Sequence, residues 1–224
     1  MQTGSLRIFV DFDGTITTRD VGDSIFERFL HPELLEKGWH EEMIREWKAG
    51  RISSGDCLVR ECDNTIVTRP ELDSLLDEHT LTPGFIEMAE YCGRRNIPLV
   101  ILSDGLDYYI KYILAKHGLG DLPHYANHMY FKESSIGVEF PHEHRGCGRC
   151  ANCKRWHIES IRRDGEKTVF IGDGYSDRYA VMSVDKIFAR RDLAEYCAAN
   201  RMPYTPFRHF YDIMRHLENG NGEI

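Results

Sequence analysis

Three apolar runs in this chain each end on an aspartate, and that repetition constrains the fold more than any other feature. LRIFVDFD (6–13) carries Asp11 and Asp13 at its end, IPLVILSD (97–104) carries Ser103 and Asp104, and KTVFIGDG (167–174) carries Asp173, with Asp177 just beyond. Runs this short, rich in Val and Ile and apolar at nearly every position, fit strands buried on both faces. Helical periodicity surrounds them, in TPGFIEMAEYCGRRN (82–96), GLDYYIKYILAKHGLG (105–120), CKRWHIESIRRDG (153–165), SDRYAVMSV (176–184), RRDLAEYCAAN (190–200) and PFRHFYDIMRHLE (206–218). The first of these opens with Thr82 as expected N-cap and Pro83 at the first helical position. KIFA (186–189) reads as a further short strand, and ANHMYF and IGVEF as a hairpin or two short strands. Alternating strands and helices imply an α/β fold, a parallel sheet covered on both faces.

Residues 19–80 break the alternation. VGDSIFERFL, EEMIREWKAG, SGDCLVRECD and PELDSLLDEH each have helical spacing, separated by breakers such as Gly50 and Pro70. The expectation is an α/β core made of 1–18 and 81–224, with 19–80 an inserted all-helical cap.

Ligands of open parallel sheets bind beyond the carboxyl ends of the strands. If the three acidic strands are neighbours, their carboxylates share one crevice and repel unless a cation lies among them. Oxygen ligands suit a hard ion such as Mg²⁺, which also takes phosphate oxygens. Ser103 adds a hydroxyl, and Gly14, Thr15 and Gly105 could offer backbone N–H groups to an anion. A carboxylate attacks phosphorus only where metal and lysine offset the charge on both partners.

DFDGTIT, LSDG, a lysine opening a helix, and GDGYSD, in this order, resemble the motifs of the haloacid dehalogenase-like (HAD) phosphatases, across residues 9–177. The resemblance implies a Rossmann-like core, Asp11 as nucleophile, and Asp13 as acid and then base. It implies Mg²⁺ held by Asp11, Asp173 and the Asp13 backbone carbonyl, and a phosphoryl group bound by Ser103 and a lysine. Lys154 is the expected lysine, with Lys111 and Lys132 as rivals, and Asp177 would orient it or a metal-bound water.

The stretch 85–215 further resembles the 2-hydroxy-3-keto-5-methylthiopentenyl-1-phosphate phosphatases of methionine salvage, in the phosphoserine-phosphatase-like branch. Asn127, His128, Phe131, Pro141, His142, Cys153 and Lys154 carry it, with GDGYSDRYAV and FARRDLAEYC. Ser103-Asp104-Gly105 departs from the usual Ser-Gly-Gly and is closer to phosphoethanolamine/phosphocholine phosphatases. Asp104 could meet a substrate amine, cap the next helix or hold a loop.

PHEHRGCGRCANCKRWH sets His142, His144, Cys147, Cys150 and Cys153 close together. Three cysteines and one of the histidines could bind structural Zn²⁺; reduced thiols or a labile disulfide are the other readings. Inward-facing cap candidates are Asp20, Asp23, Phe26, Trp47 and Arg51, with Arg45 or Arg51 able to pair a substrate carboxylate. Trp39 and Trp47 read as cap core.

The net charge of −8 argues against general nucleic-acid binding. No signal peptide or bilayer-length run is evident, which places the protein in the cytoplasm. The expected activity is Mg²⁺-dependent hydrolysis of a small phosphate ester, first the salvage enol phosphate, then phosphoserine or phosphoethanolamine/phosphocholine. Transfer to another acceptor, and a non-catalytic metabolite- or zinc-binding module, are the rivals.

Overall fold

The computed structural model describes residues 5–143 and 145–219. Seven strands form one sheet in the order β4-β3-β2-β1-β5-β6-β7. They are β1 (Leu6–Val10), β2 (Leu99–Leu106), β3 (His124–Phe131), β4 (Ile136–Glu139), β5 (Lys167–Gly172), β6 (Lys186–Ala189) and β7 (Thr205–Pro206). All neighbours pair in parallel except β3 and β4, which form the hairpin (His128 opposite Glu139). The three acidic strands are adjacent at the centre of the sheet, Val10 pairing with Ile101 on one side and Ile171 on the other.

Successive residues of the central strands face opposite layers. Ile8, Val10, Leu99, Ile101, Val169 and Ile171 enter one core; Phe9, Val100, Leu102 and Phe170 enter the other. This is why their sequences are apolar throughout rather than alternating. The second layer is closed by α8 (Lys154–Ile161), a 3₁₀ segment over Tyr175–Ser183, and α9 (Arg191–Ala199). The expected α-helix over 176–184 is thus 3₁₀.

The other layer holds α6 (Phe85–Arg95), α7 (Asp107–Lys116) and α10 (Phe210–Asn219). The helical insertion also packs there through α1 (Val21–Phe29), α3 (Trp39–Lys48), α4 (Ser54–Asp63) and α5 (Arg69–Asp77), while its short α2 (Pro32–Glu36) buries no residue. Its two connections meet at a neck, where Thr17 bridges Leu81 and Thr18 N–H donates to Thr80 O (3.0 Å).

Two local readings change. β1 stops at Val10, and Phe12–Ile16 forms a tight loop with Gly14 at φ +70°, closed by Thr17 N–H donating to Phe12 O (3.1 Å). Thr82 does not cap α6: its hydroxyl donates to Thr15 O (2.8 Å), tightening the neck, and α6 starts after Gly84 at φ +86°. A Cβ on Gly84 would lie 2.8 Å from the Tyr211 backbone nitrogen, so the α6–α10 approach needs glycine there.

Candidate active site

The carboxyl ends of β1, β2 and β5 bring the expected residues to one place. Asp11, in extended backbone just past β1, is 4% exposed. Lys154, first residue of α8, is buried against it and donates to Asp11 Oδ1, to Asp177 Oδ1 (2.6 Å) and to Ser176 Oγ (3.3 Å). Burial alone would strip the proton from this lysine, but Asp11 and Asp177 outweigh it and hold the ammonium above its ordinary range. The rivals are elsewhere: Lys111 pairs with Asp107 (2.6 Å) and Lys132 with Asp63 (2.9 Å).

Asp177 spends its second oxygen on the N–H groups of Asp173 (3.1 Å) and Gly174 (3.0 Å). It therefore fixes both the lysine and the loop after β5. Asp173 accepts from Thr15 Oγ1 (2.8 Å) and from the Arg191 guanidinium (3.0 Å). Carboxylate oxygens of Asp11, Asp173 and Asp177 all lie within 4.8 Å of one another. Burial raises Asp11 to about 7, with Lys154 pulling down and Asp173 and Asp13 pushing up. Burial likewise raises Asp177 to about 6 and lifts Asp173. Crowded, desolvated oxygen donors of this kind fit a hard divalent cation, which would relieve the repulsion.

The Asp13 carboxylate is outside that cluster. It faces β2 and α7, accepting from Tyr109 Oη (2.8 Å), Ser103 Oγ (3.1 Å) and Val21 N–H (3.2 Å). Burial raises its pKa, and the Tyr109 hydrogen bond is the largest effect opposing that. Two aspartates in sequence neighbourhood thus occupy different electrostatic settings.

Other expectations change in detail. Gly14 N–H donates to Thr17 Oγ1 (3.2 Å) and Gly105 N–H to Ser103 Oγ (2.9 Å), so both shape the loops rather than standing free for an anion. A Cβ on Gly14 would sit 2.6 Å from Asp173 Oδ2, and one on Gly105 would collide with Tyr109 Oη. Asp104 does not cap α7: its Oδ1 accepts from Asn152 N–H (2.6 Å), and burial raises it to about 6.

A cavity of about 330 Å³ opens over Asp11, Asp13 and Asp173 toward the insertion. Asp20, Asp23, Phe26 and Trp47 line it, as expected. Arg51 and Arg45 do not: Arg51 is held by Glu46 (2.6 Å) and Arg45 lies 3.6 Å from Glu42, both outside the cavity. Trp39 packs on the main core, whereas Trp47 stands edge-on to Tyr175 (5.3 Å) at the cavity wall and is not cap core.

Tyr109 and Arg191 escaped the sequence reading. Tyr109 sits in an ordinary amphipathic helix and gives no signal of its own. Arg191 does: it lies just past the short strand KIFA, at the carboxyl end of the sheet where the three acidic runs also finish.

The sulfurs of Cys147, Cys150 and Cys153 also lie within 4.8 Å of one another. His142 is instead packed against Tyr125, Trp156 and His157, so it is not the fourth member of that group. His144 lies outside the described residues.

Residues 8–182 match the family model of haloacid dehalogenase-like hydrolases. The 2-hydroxy-3-keto-5-methylthiopentenyl-1-phosphate phosphatase of Bacillus cereus is 30% identical over 220 residues, 96% of this chain and 97% of that protein. Its counterpart from Brevibacillus brevis is 31% identical over 229 residues, 98% of each. Among solved structures, a phospho-aspartyl intermediate analogue of phosphoserine phosphatase superposes with TM-score 0.71 at 18% identity, over 95% of this chain and 99% of the other. Cytosolic 5'-nucleotidase IIIB bound to cytidine gives 0.64 at 14% identity, over 96% of this chain and 84% of its own. At such identities the structures speak for the fold alone. The family model and the full-length relatives together show that this chain belongs to the haloacid dehalogenase-like hydrolase family.

Proposed function

We propose that the protein hydrolyses a small phosphate monoester through an aspartyl-phosphate on Asp11. The observation that carries this is the pairing of a buried, lysine-held carboxylate at Asp11 with a second carboxyl at Asp13 whose burial favours its protonated form. Asp11 attacks phosphorus and the bond to the leaving oxygen breaks, with Asp13 giving that oxygen its proton. Asp13, now ionised, takes a proton from a water that attacks the acyl phosphate. Phosphate leaves and Asp11 is regenerated.

Lys154 and Ser103 hold the phosphoryl oxygens, Asp177 orients the lysine, and Gly14, Thr15, Gly105 and Asp104 shape the loops around them. Asp11, Asp173 and the Asp13 backbone carbonyl would hold Mg²⁺. When bound, Mg²⁺ offsets the negative charge of carboxylates and phosphoryl group. Residues 19–80 act as the lid, and 1–18 with 81–224 as the core. Structural Zn²⁺ at Cys147, Cys150 and Cys153, with a fourth ligand from outside that group, completes the reading. A metabolite substrate and free thiols suit the cytoplasm.

The cavity favours the salvage enol phosphate named for the relatives. Its cationic lining side chains, Lys48 and Arg191, are already paired with Asp192 (2.7 Å) and Asp173 (3.0 Å), leaving none for a substrate carboxylate such as that of phosphoserine. Phe26, Ile44 and Leu58 suit an apolar tail. Asp23 and Glu61 on the same wall are taken by His40, and Asp20, which has no ion-pair partner among the described residues, favours phosphoethanolamine or phosphocholine as second choice.

Phosphate release from these esters, with Mg²⁺ or chelator, tests the reading. Asp11→Asn is expected to lower Mg²⁺-dependent release by about 10⁴-fold or more. Release that persists in the variant would overturn Asp11 as the nucleophile, and no release from any ester would overturn the hydrolase reading and leave a binding module.

A further inference from the structure

The cysteine run touches three parts of the molecule that must be aligned for the reaction. Cys153 immediately precedes Lys154 and stands at the N-terminus of α8. Asn152 donates from its side chain to Ser103 O (2.8 Å) and from its backbone to Asp104 Oδ1 (2.6 Å), fixing the end of β2. On the other side the run grips the helical insertion. Ser54 N–H donates to Arg149 O (3.0 Å), Ala151 N–H donates to Ser54 Oγ (2.6 Å), and the Arg149 guanidinium donates to Gly50 O (2.5 Å). Ser54 opens α4, and Gly50 lies in the turn between α3 and α4.

The bonds above and burial fix 151–153, but they leave the exposed stretch 145–148 unexplained. RGCGRCANC has no large apolar side chain, and its two glycines are left-handed (Gly146 φ +85°, Gly148 φ +67°). Ordering such a segment costs about 1–2 kcal/mol per residue in backbone entropy. The run also folds back on its own last cysteine: a Cβ on Gly146 would collide with the Cys153 side chain. That turn gathers the sulfurs, with Cys147 and Cys150 3.3 Å apart. Tetrahedral zinc–thiolate bonds of about 2.3 Å set sulfurs about 3.8 Å apart. The observed group needs only small shifts to reach that spacing.

We propose that Zn²⁺ bound by Cys147, Cys150 and Cys153 is the pin of a clasp that holds the helical insertion closed over the active site. This rests on the zinc reading above and adds what the ion does. Binding releases the thiol protons to solvent and cross-links the run. The cross-linked run presents Arg149 and Ala151 to Ser54 and Gly50 in fixed geometry.

The test uses the full chain, reduced and stripped of metal, with Mg²⁺ kept constant. Co²⁺ is titrated as a spectroscopic stand-in, and amide hydrogen exchange is compared with and without Zn²⁺. A thiolate-to-cobalt charge-transfer band saturating at one equivalent, lost in Cys147→Ser, is expected. Zn²⁺ should slow exchange of the segment 50–56 by about tenfold or more, with β1 and β5 unchanged. Arg149→Ala should keep the cobalt band yet lose that protection. A band without any change in exchange at 50–56 overturns the clasp and leaves the zinc site; absence of the band overturns both. Neither readout depends on turnover, so failure here is separable from failure of the phosphatase reading.

Discussion

Asp11 and Asp13 are the same side chain two positions apart, and what separates them is their partners. Asp11 faces an ammonium and Asp13 faces two hydroxyls. The Tyr109 hydrogen bond stabilises the ionised form of Asp13 and so lowers its pKa against the pull of burial. Removing it in Tyr109→Phe raises the Asp13 pKa further. As the proposed acid, Asp13 must be protonated to serve the leaving oxygen, so the high-pH limb of the kcat/KM profile is expected to move upward in this variant. A limb that stays in place or moves down contradicts Asp13 as the acid. Asp11, Asp13, Ser103 and Asp173 were legible because each stands where an apolar run turns polar, and Lys154 because it opens a helix before the third such run. Tyr109 was not, because a tyrosine at core spacing in a helix reads the same whether or not its hydroxyl meets a carboxylate.

At the scale of elements, helical spacing located four insertion helices, while the five-residue α2 is too short to show a period. The contacts among them were invisible in sequence. His40 on α3 is 6% exposed and bonded to Glu61 on α4 (2.8 Å), with Asp23 on α1 at 3.4 Å. Burial would lower its pKa, but hydrogen bonds to Asp23 and Glu61 overcome that and raise it to about 10. Glu61 is itself raised by burial, with His40 pulling the other way. The folded state therefore keeps a proton on His40 that the unfolded chain, near its ordinary 6.5, releases. The stability this gives is full below pH 6.5 and disappears as pH approaches 10. His40→Gln is expected to cost about 2 kcal/mol at pH 6, with the difference from wild type shrinking as pH rises. Denaturant unfolding at several pH values measures it; a constant difference would mean that packing, not charge, holds the three helices.

At the scale of the molecule, 19–80 read as a separate unit because its periodicity is helical while the rest alternates. The packing is less divided than that pattern. Val21, Ile25 and Phe26 of α1, Leu72, Leu75 and Leu76 of α5, and Leu58 and Cys62 of α4 are buried in the same cluster as Ile8, Val10, Ile101 and Ile171 of the sheet. Each fully buried aliphatic or aromatic side chain contributes about 1.5–3 kcal/mol. Helices that share those contacts with the sheet lose them when either part unfolds. The neck at Thr17 and Leu81 ties both connections to the same place. Insertion and core are therefore expected to melt together, even with no ligand bridging them. Calorimetry of the metal-free chain should show one transition, with calorimetric and van't Hoff enthalpies equal. Two resolved transitions would mean that the insertion holds itself together through its own helix contacts, and that the shared cluster adds little to either part. A single transition leaves the neck to flex only as far as that common core permits, so access to the cavity would come from the side held by Lys48–Asp192 and Arg149–Gly50 rather than from separation of the insertion as a whole.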